Sequence, residues 1–286
     1  MKTIQKIVSK LFKILLPFID QMAYLKYFNQ PLTSLPISSF QNYKNLSQIA
    51  EKNTYSIDSI DILENDNGFL VDKDWLNTLA FNTQIVVKKT ELNYAHGRVL
   101  YSVLRNYLST LKQGNKSINI IETGTALGFS SVCMAKALSD SGFEGSICTI
   151  DVIPHFKKMF WNCAADHVKG EQTRDDLLSD WADLVERYII FIQGYTKHIL
   201  PKIALSRINF AFLDGAHVYE DVLYEFNIIS ERQKKGDVVV FDDYNEKKFP
   251  GVVNAVKKIA RSKKYDILIL HNQNTLRDYV IAKKVN

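Results

Sequence analysis

The sequence predicts an α/β fold built on a doubly wound, mostly parallel sheet, and three observations carry that prediction. Residues 119–131 read N-I-I-E-T-G-T-A-L-G-F-S-S, an apolar strand running into a glycine-bent turn and then a helix. Short apolar segments recur after it, each ending at a polar residue: Ser146–Ile150 before Asp151, Ile189–Ile192 before Gln193, Asn209–Leu213 before Asp214, and Val238–Phe241 before Asp242 and Asp243. Helical patterns separate these strands, around Ser130–Leu138, Asp176–Val185 and Glu220–Arg232. Asp266–Leu270 and Asp278–Lys283, joined by the polar turn His271–Thr275, supply a closing hairpin.

Ahead of this pattern, residues 1–90 read as an N-terminal helical extension and 91–286 as the sheet domain. Lys2, Lys6, Lys10 and Lys13 fall on one side of a helix whose other side is Ile4, Ile7, Val8, Leu11, Phe12 and Leu15. Two readings stand: a helix packed in a cap or against a second copy of the chain, or peripheral membrane contact through residues 1–19. A signal peptide is disfavoured because lysines run through to Lys13 and no small-residue cleavage site follows. Gln41–Trp75 shows no clear period, and Leu92–Leu111 then gives a helix with Val99, Leu100, Val103, Leu104 and Leu108 on its apolar stripe.

The first turn suggests its ligand. Gly124 and Gly128 stand four apart with Ala126 between them, which departs from the G-x-G-x-x-G that seats a pyrophosphate. Glu122 at the strand end repels a phosphate and attracts an amine. An adenosine carrying an amino acid therefore suits the turn better than a dinucleotide, with Thr125 in the turn and Ser130 or Ser131 capping the helix. Asp151, after the second strand, is placed to accept two ribose hydroxyls.

The segments E-T-G-T-A-L-G-F-S-S, T-I-D, F-L-D-G-A-H-V-Y-E-D-V and G-D-V-V-V-F-D-D-Y-N together resemble the class I S-adenosylmethionine-dependent methyltransferases. They are similar in particular to the small-molecule and sugar O-methyltransferase branch with D-G-x-H-x-Y and D-D motifs. The resemblance runs from about Leu92 onward and implies a seven-stranded Rossmann-like sheet whose last strand is antiparallel. It implies that Glu122, Gly124, Thr125, Gly128, Ser130, Asp151, Gln193 and Asp214 bind S-adenosylmethionine, with Gln193 where relatives often carry an acid near the adenine. It also implies that Asp214, Asp242 and Asp243 hold one Mg²⁺ and that Asp214 and His217 are catalytic, His217 as base. Ala216 departs from the pattern, since many metal-using relatives have a further acid there. The carboxylates equally suit a plainer role, orienting cofactor and capping loops.

Composition narrows the remaining classes. The net charge of +5 comes from scattered lysine pairs with acids between, so no nucleic-acid partner is expected. Cys133, Cys148 and Cys163 have no metal or disulfide spacing and read as reduced thiols of a cytoplasmic protein, with membrane association resting on residues 1–19 alone. A small-molecule acceptor is the expected partner, and a homo-oligomer is compatible with the amphipathic first helix. The competing readings are a nicotinamide-dependent oxidoreductase and a non-catalytic scaffold at a membrane surface.

Overall fold

The computed structural model describes residues 36–88, 90–111, 117–273 and 277–286. Its centre is one seven-stranded sheet in the order β3-β2-β1-β4-β5-β7-β6. The strands are β1 (Ile118–Thr123), β2 (Gly145–Asp151), β3 (Ile189–Gln193), β4 (Phe210–Leu213), β5 (Val238–Tyr244), β6 (Tyr265–Leu270) and β7 (Asp278–Lys284). The first five pair in parallel, and β7 runs antiparallel to both β5 and β6. The expected hairpin therefore exists, with its second arm wedged between the first arm and the parallel strands. β4 is buried along its whole length and β1 at five of its six positions, as strands covered on both faces must be.

β5 reaches three residues beyond the apolar run that predicts it. Its register against β7 shifts between Phe241 and Tyr244, and Asp243 takes φ 54°. Such a bulge re-aims consecutive side chains. Asp242 turns inward and is 2% exposed, while Asp243 lines an open cleft.

The helices are α1 (Phe40–Thr54), α2 (Asp58–Asn67), α3 (Lys73–Thr83), α4 (Ala95–Ser109), α5 (Phe129–Asp140), α6 (Asp166–Lys169), α7 (Arg174–Leu177), α8 (Ala182–Tyr188), α9 (Thr196–Ile199), α10 (Tyr219–Ser230) and α11 (Pro250–Arg261). The single helix expected over Asp176–Val185 is instead two short helices joined by a 3₁₀ turn at Ser179–Trp181. Thr173 and Asp176 form a capping box that starts α7 as a separate turn, and Leu177, Leu178 and Trp181 are all buried.

The helices before β1 are joined closely to the sheet. Residues of α1–α5 share one apolar cluster with Ile120, Phe210, Phe212, Val240 and Ile281 on one sheet face. The other face is covered by α10 and α11. Arg98 of α4 is the polar tie inside the first layer: its Nε donates to Glu64 Oε1 (3.2 Å), its second guanidinium nitrogen to Glu64 Oε2, and a third bond reaches the Thr54 carbonyl (3.0 Å). Tyr43 Oη donates to Asn162 and Ser59 Oγ to the His271 carbonyl, linking α1 and α2 to distant parts of the sheet domain. Among the described residues no helix is long and apolar enough to cross a membrane, and the amphipathic segment 1–19 lies outside them.

Candidate active site

The turn after β1 sits where its glycines require. Gly124 has φ 90°, and a Cβ there would lie 2.4 Å from the Asp214 carbonyl oxygen. No L-residue with a side chain fits that approach without moving β4. Ala126 also has positive φ (46°) and is held from both sides: its amide donates to Asp151 Oδ2 (2.6 Å) and its carbonyl accepts from Arg174 Nε (2.9 Å). Arg174 is buried against Trp161 and Phe191, and burial lowers its pKa to about 10, with Asp151 and Glu122 opposing the shift.

The structure redistributes the roles expected of these residues. Glu122 is fully enclosed and accepts a bond from Ser131 Oγ, while its Oε1 has no hydrogen-bond partner among the described residues. Burial raises its pKa against the pull of the Ser130, Ser131 and Thr149 hydroxyls. Ser130, which lines the cleft, presents the polar wall where Glu122 was expected. Thr125 also lines the cleft and shares a hydrogen bond with Thr149 (2.5 Å). Gly128 (φ 98°) precedes α5, and a Cβ there would lie 2.8 Å from Leu178 Cδ1.

Asp151 and Gln193 stand opposite each other in register at the ends of β2 and β3. Both Asp151 oxygens accept backbone amides, from Ala126 and from Ile153 (2.9 Å). His155 stacks on Phe191 at 4.1 Å beside them.

The cleft itself measures about 270 Å³ and opens over the ends of β1, β4 and β5. One wall is the Gly124–Ser130 turn. The facing wall comes from the segment between α3 and the first turn of α4, including Lys88, Glu91, Asn93 and His96. Phe249, Lys248 and Arg277 close the third side. His96 is 3% exposed, lies near the Phe129 and Phe212 rings, and leaves Nδ1 without a hydrogen-bond partner among the described residues. Burial, with Arg277 and Lys88 adding to it, drives its pKa well below the usual histidine value, so the ring is neutral.

At the floor of the cleft the expected acids divide into two groups. Arg277 Nε donates to Asp242 Oδ1 (2.8 Å) and a second guanidinium nitrogen to Asp242 Oδ2, a bidentate pair. The same Nε is 3.1 Å from Asp243 Oδ1, and His217 Nε2 is 3.0 Å from Asp243 Oδ2. Burial pushes the Asp242 carboxyl up and Arg277 opposes it. For Asp243 burial is outweighed by His217 and Arg277, so its pKa is lowered. Asp214 lines the cleft and has no ion pair among the described residues. Its pKa is raised well above the carboxylate range, by burial first and then by Asp242.

Two assignments change here. Asp242, expected as a metal ligand, is committed at both oxygens to Arg277, and the donors that come within 4.8 Å of one another are Asp214, His217 and Asp243. His217, expected as the base, pairs with Asp243 and stacks on Phe249 (4.4 Å) outside the residues that form the cleft wall. Arg174, Arg277 and Lys88 carry no sequence signal of their own. Arg277 meets Asp242 across a sequence separation of 35, through the β5–β7 pairing.

Residues 121–244 match the family model described as a methyltransferase domain. An uncharacterized protein of Acanthamoeba polyphaga mimivirus is 42% identical over 164 residues, covering 56% of this chain and 66% of that protein, just under two thirds of its length. Two solved structures share the fold. The O-methyltransferase TomG from Streptomyces achromogenes, in complex with SAM, has a TM-score of 0.50 at 17% identity over 76% of this chain and 92% of that one. An O-methyltransferase from Bacillus cereus, in complex with SAH, has a TM-score of 0.51 at 14% identity over 86% and 100%. With the strand order, the glycine turn and the strand-end acids in place, residues 121–244 match a methyltransferase domain, and the sheet has the fold of these O-methyltransferases.

Proposed function

We propose that this domain methylates a hydroxyl oxygen of a small polar acceptor such as a sugar or a glycosylated metabolite, with Asp214 receiving the proton. The observation that carries the reading is the Asp214 carboxyl, which stands in the cleft wall directly beyond the Gly124 turn without an ion pair among the described residues. S-adenosylmethionine supplies an activated methyl whose C–S electron pair stays on sulfur as the new C–O bond forms. What the chain must add is alignment, exclusion of water and a place for the hydroxyl proton.

The cofactor lies across the first turn in this reading. Gly124, Thr125 and Ser130 would hold its amino-acid tail and Asp151 its ribose hydroxyls, each Asp151 oxygen keeping acceptor capacity beside the Ala126 or Ile153 amide it already accepts. Gln193 lies at the adenine end. Burial and the neighbouring Asp242 raise the Asp214 pKa well above the carboxylate range, and a positive charge brought beside it would lower that pKa, which couples cofactor binding to base formation. His217 braces Asp243, and the polar groups Glu91, Asn93 and His96 face the acceptor.

Mg²⁺ does not fit the residues first expected to hold it. Both oxygens of Asp242 and both of Asp243 are already engaged, and an ion at Asp214 and Asp243 would stand beside the Arg277 guanidinium.

The test is a screen of methyl-labelled S-adenosylmethionine against sugar, phenolic and amine acceptors. Label on a hydroxyl oxygen is expected, and transfer solely to nitrogen would reject the oxygen assignment. With an acceptor in hand, Asp214→Asn should slow transfer by roughly 10²–10⁴-fold while S-adenosylhomocysteine still binds.

A further inference from the structure

We propose that Arg277 is the resident cation of this site, fixed where the resembled enzymes place a divalent ion, and that transfer here runs without metal. The inference rests on the methyltransferase reading above but concerns a different part of the site. Arg277 leaves the hairpin between β6 and β7 and enters the cleft wall with its guanidinium against two consecutive strand-end acids. Its planar fork matches the Asp242 carboxylate at both oxygens, and its Nε also reaches Asp243. The β5 bulge is what makes this possible, because it presents Asp242 and Asp243 to one guanidinium from two directions.

The alternative cation site can be weighed directly. Asp214, His217 and Asp243 each offer one atom within a 4.8 Å set. For a divalent ion to bind there, Asp243 must give up either His217 or Arg277, and the ion would sit next to a guanidinium held 3.1 Å from the same carboxylate. Two like charges at that range repel strongly in a partly desolvated cleft. Lys88 adds a second positive charge to the same field: partial desolvation and the nearby Arg277 lower its pKa, while Asp242, Asp243 and Asp214 hold it up. The acid cluster is thus answered by side chains of the chain itself. Arg277, whose own charge is disfavoured by burial and restored by Asp242, Tyr279 and Asp243, stays protonated.

The experiment uses the full chain and needs no acceptor. S-adenosylhomocysteine is first titrated calorimetrically in excess chelator. Micromolar binding there supports the cofactor reading, and its absence would sink that reading alone. Mn²⁺ is then titrated into wild type and followed by electron paramagnetic resonance. No binding below millimolar Mn²⁺, with the chelator-treated protein melting at the same temperature, is the expected result. Micromolar Mn²⁺ binding that is lost in Asp243→Asn would overturn the proposal. Arg277→Ala together with Asp242→Asn avoids stranding a buried carboxylate, and Arg277→Lys keeps a charge there without the fork. Mn²⁺ affinity is expected to rise at least tenfold in the first and to stay unmeasurable in the second. If it is equally absent from both, with both folded, Arg277 is not what excludes the ion and the proposal fails.

Discussion

Gly124 shows how narrow the tolerance is at single positions in this site. Its φ of 90° and the 2.4 Å that would separate an added Cβ from the Asp214 carbonyl act together. Gly124→Ala is expected to cost on the order of 1–3 kcal/mol from backbone conformation alone, with the clash adding to it. Because the clash is with β4 beside Asp214, S-adenosylhomocysteine affinity should fall by more than the loss of stability explains. Calorimetry on the folded fraction checks this, and unchanged affinity would detach the turn from the ligand. Ala126 is the contrasting case: a non-glycine at positive φ, held by Asp151 on one side and Arg174 on the other. The sequence announces Gly124 plainly, since glycine at the end of an apolar strand has few other uses. It says nothing of Arg174, whose function depends on a loop that brings it back to the Ala126 carbonyl.

Glu225 of α10 carries a pH dependence that belongs to the packing of a helix on the sheet. The carboxyl is buried, accepts a bond from Thr123 Oγ1 (3.0 Å), and has its pKa raised to about 7, by burial first. A carboxyl whose folded pKa lies above its unfolded value favours the folded state only while protonated. Stability is therefore highest below about pH 4.5, falls as pH rises toward about 7, and is flat beyond. Glu225→Gln keeps an acceptor for Thr123 and removes the charge. It should stabilise the protein by up to roughly 3 kcal/mol at pH 8 and by little at pH 4, read from urea unfolding at both. Equal effects at both pH values would show that Glu225 is solvated.

Elements were legible from sequence in proportion to how much of their pattern is local. β1, β2, β3 and β4 follow apolar runs with polar ends and are found within a residue or so of those runs. The bulge in β5 and the break between α7 and α8 depend on partners across the sheet, and no period in the sequence reports them. The same division runs through the site. The acids at strand ends can be read in order along the chain, whereas the pairing of Asp242 with Arg277 appears only once β7 lies beside β5.

Across the whole molecule, the helical layer before β1 belongs to the same core as the sheet it covers. Leu76, Leu79, Leu100 and Leu104 are fully buried in one cluster with Phe129 and Phe212. Tyr279 Oη donates to Asn93 Oδ1 and the Tyr94 amide donates to Thr54 Oγ1, so the layer is also tied by polar bonds. A chain lacking residues 1–90 would strip α1–α3 from α4 and α5, exposing the apolar surface that these helices cover, and is expected to lose its cooperative thermal transition. Circular dichroism melting decides it. A sharp transition in the shortened chain would make 91–286 an independent domain after all.

The two long walls of the cleft are written in separate stretches of the chain. The cofactor-side wall, from Gly124 to Ser130 and on to Asp214 and Asp243, falls inside the segment that the methyltransferase model recognises, and the facing wall from Lys88 to His96 falls outside it. Glu91 and Asn93 in the second stretch can change with less effect on the first than Lys88 and His96, which touch its acids and rings. A lineage could exchange one acceptor for another by rewriting a few positions between α3 and α4, so divergence among descendants of this gene should concentrate there while the glycine turn stays still.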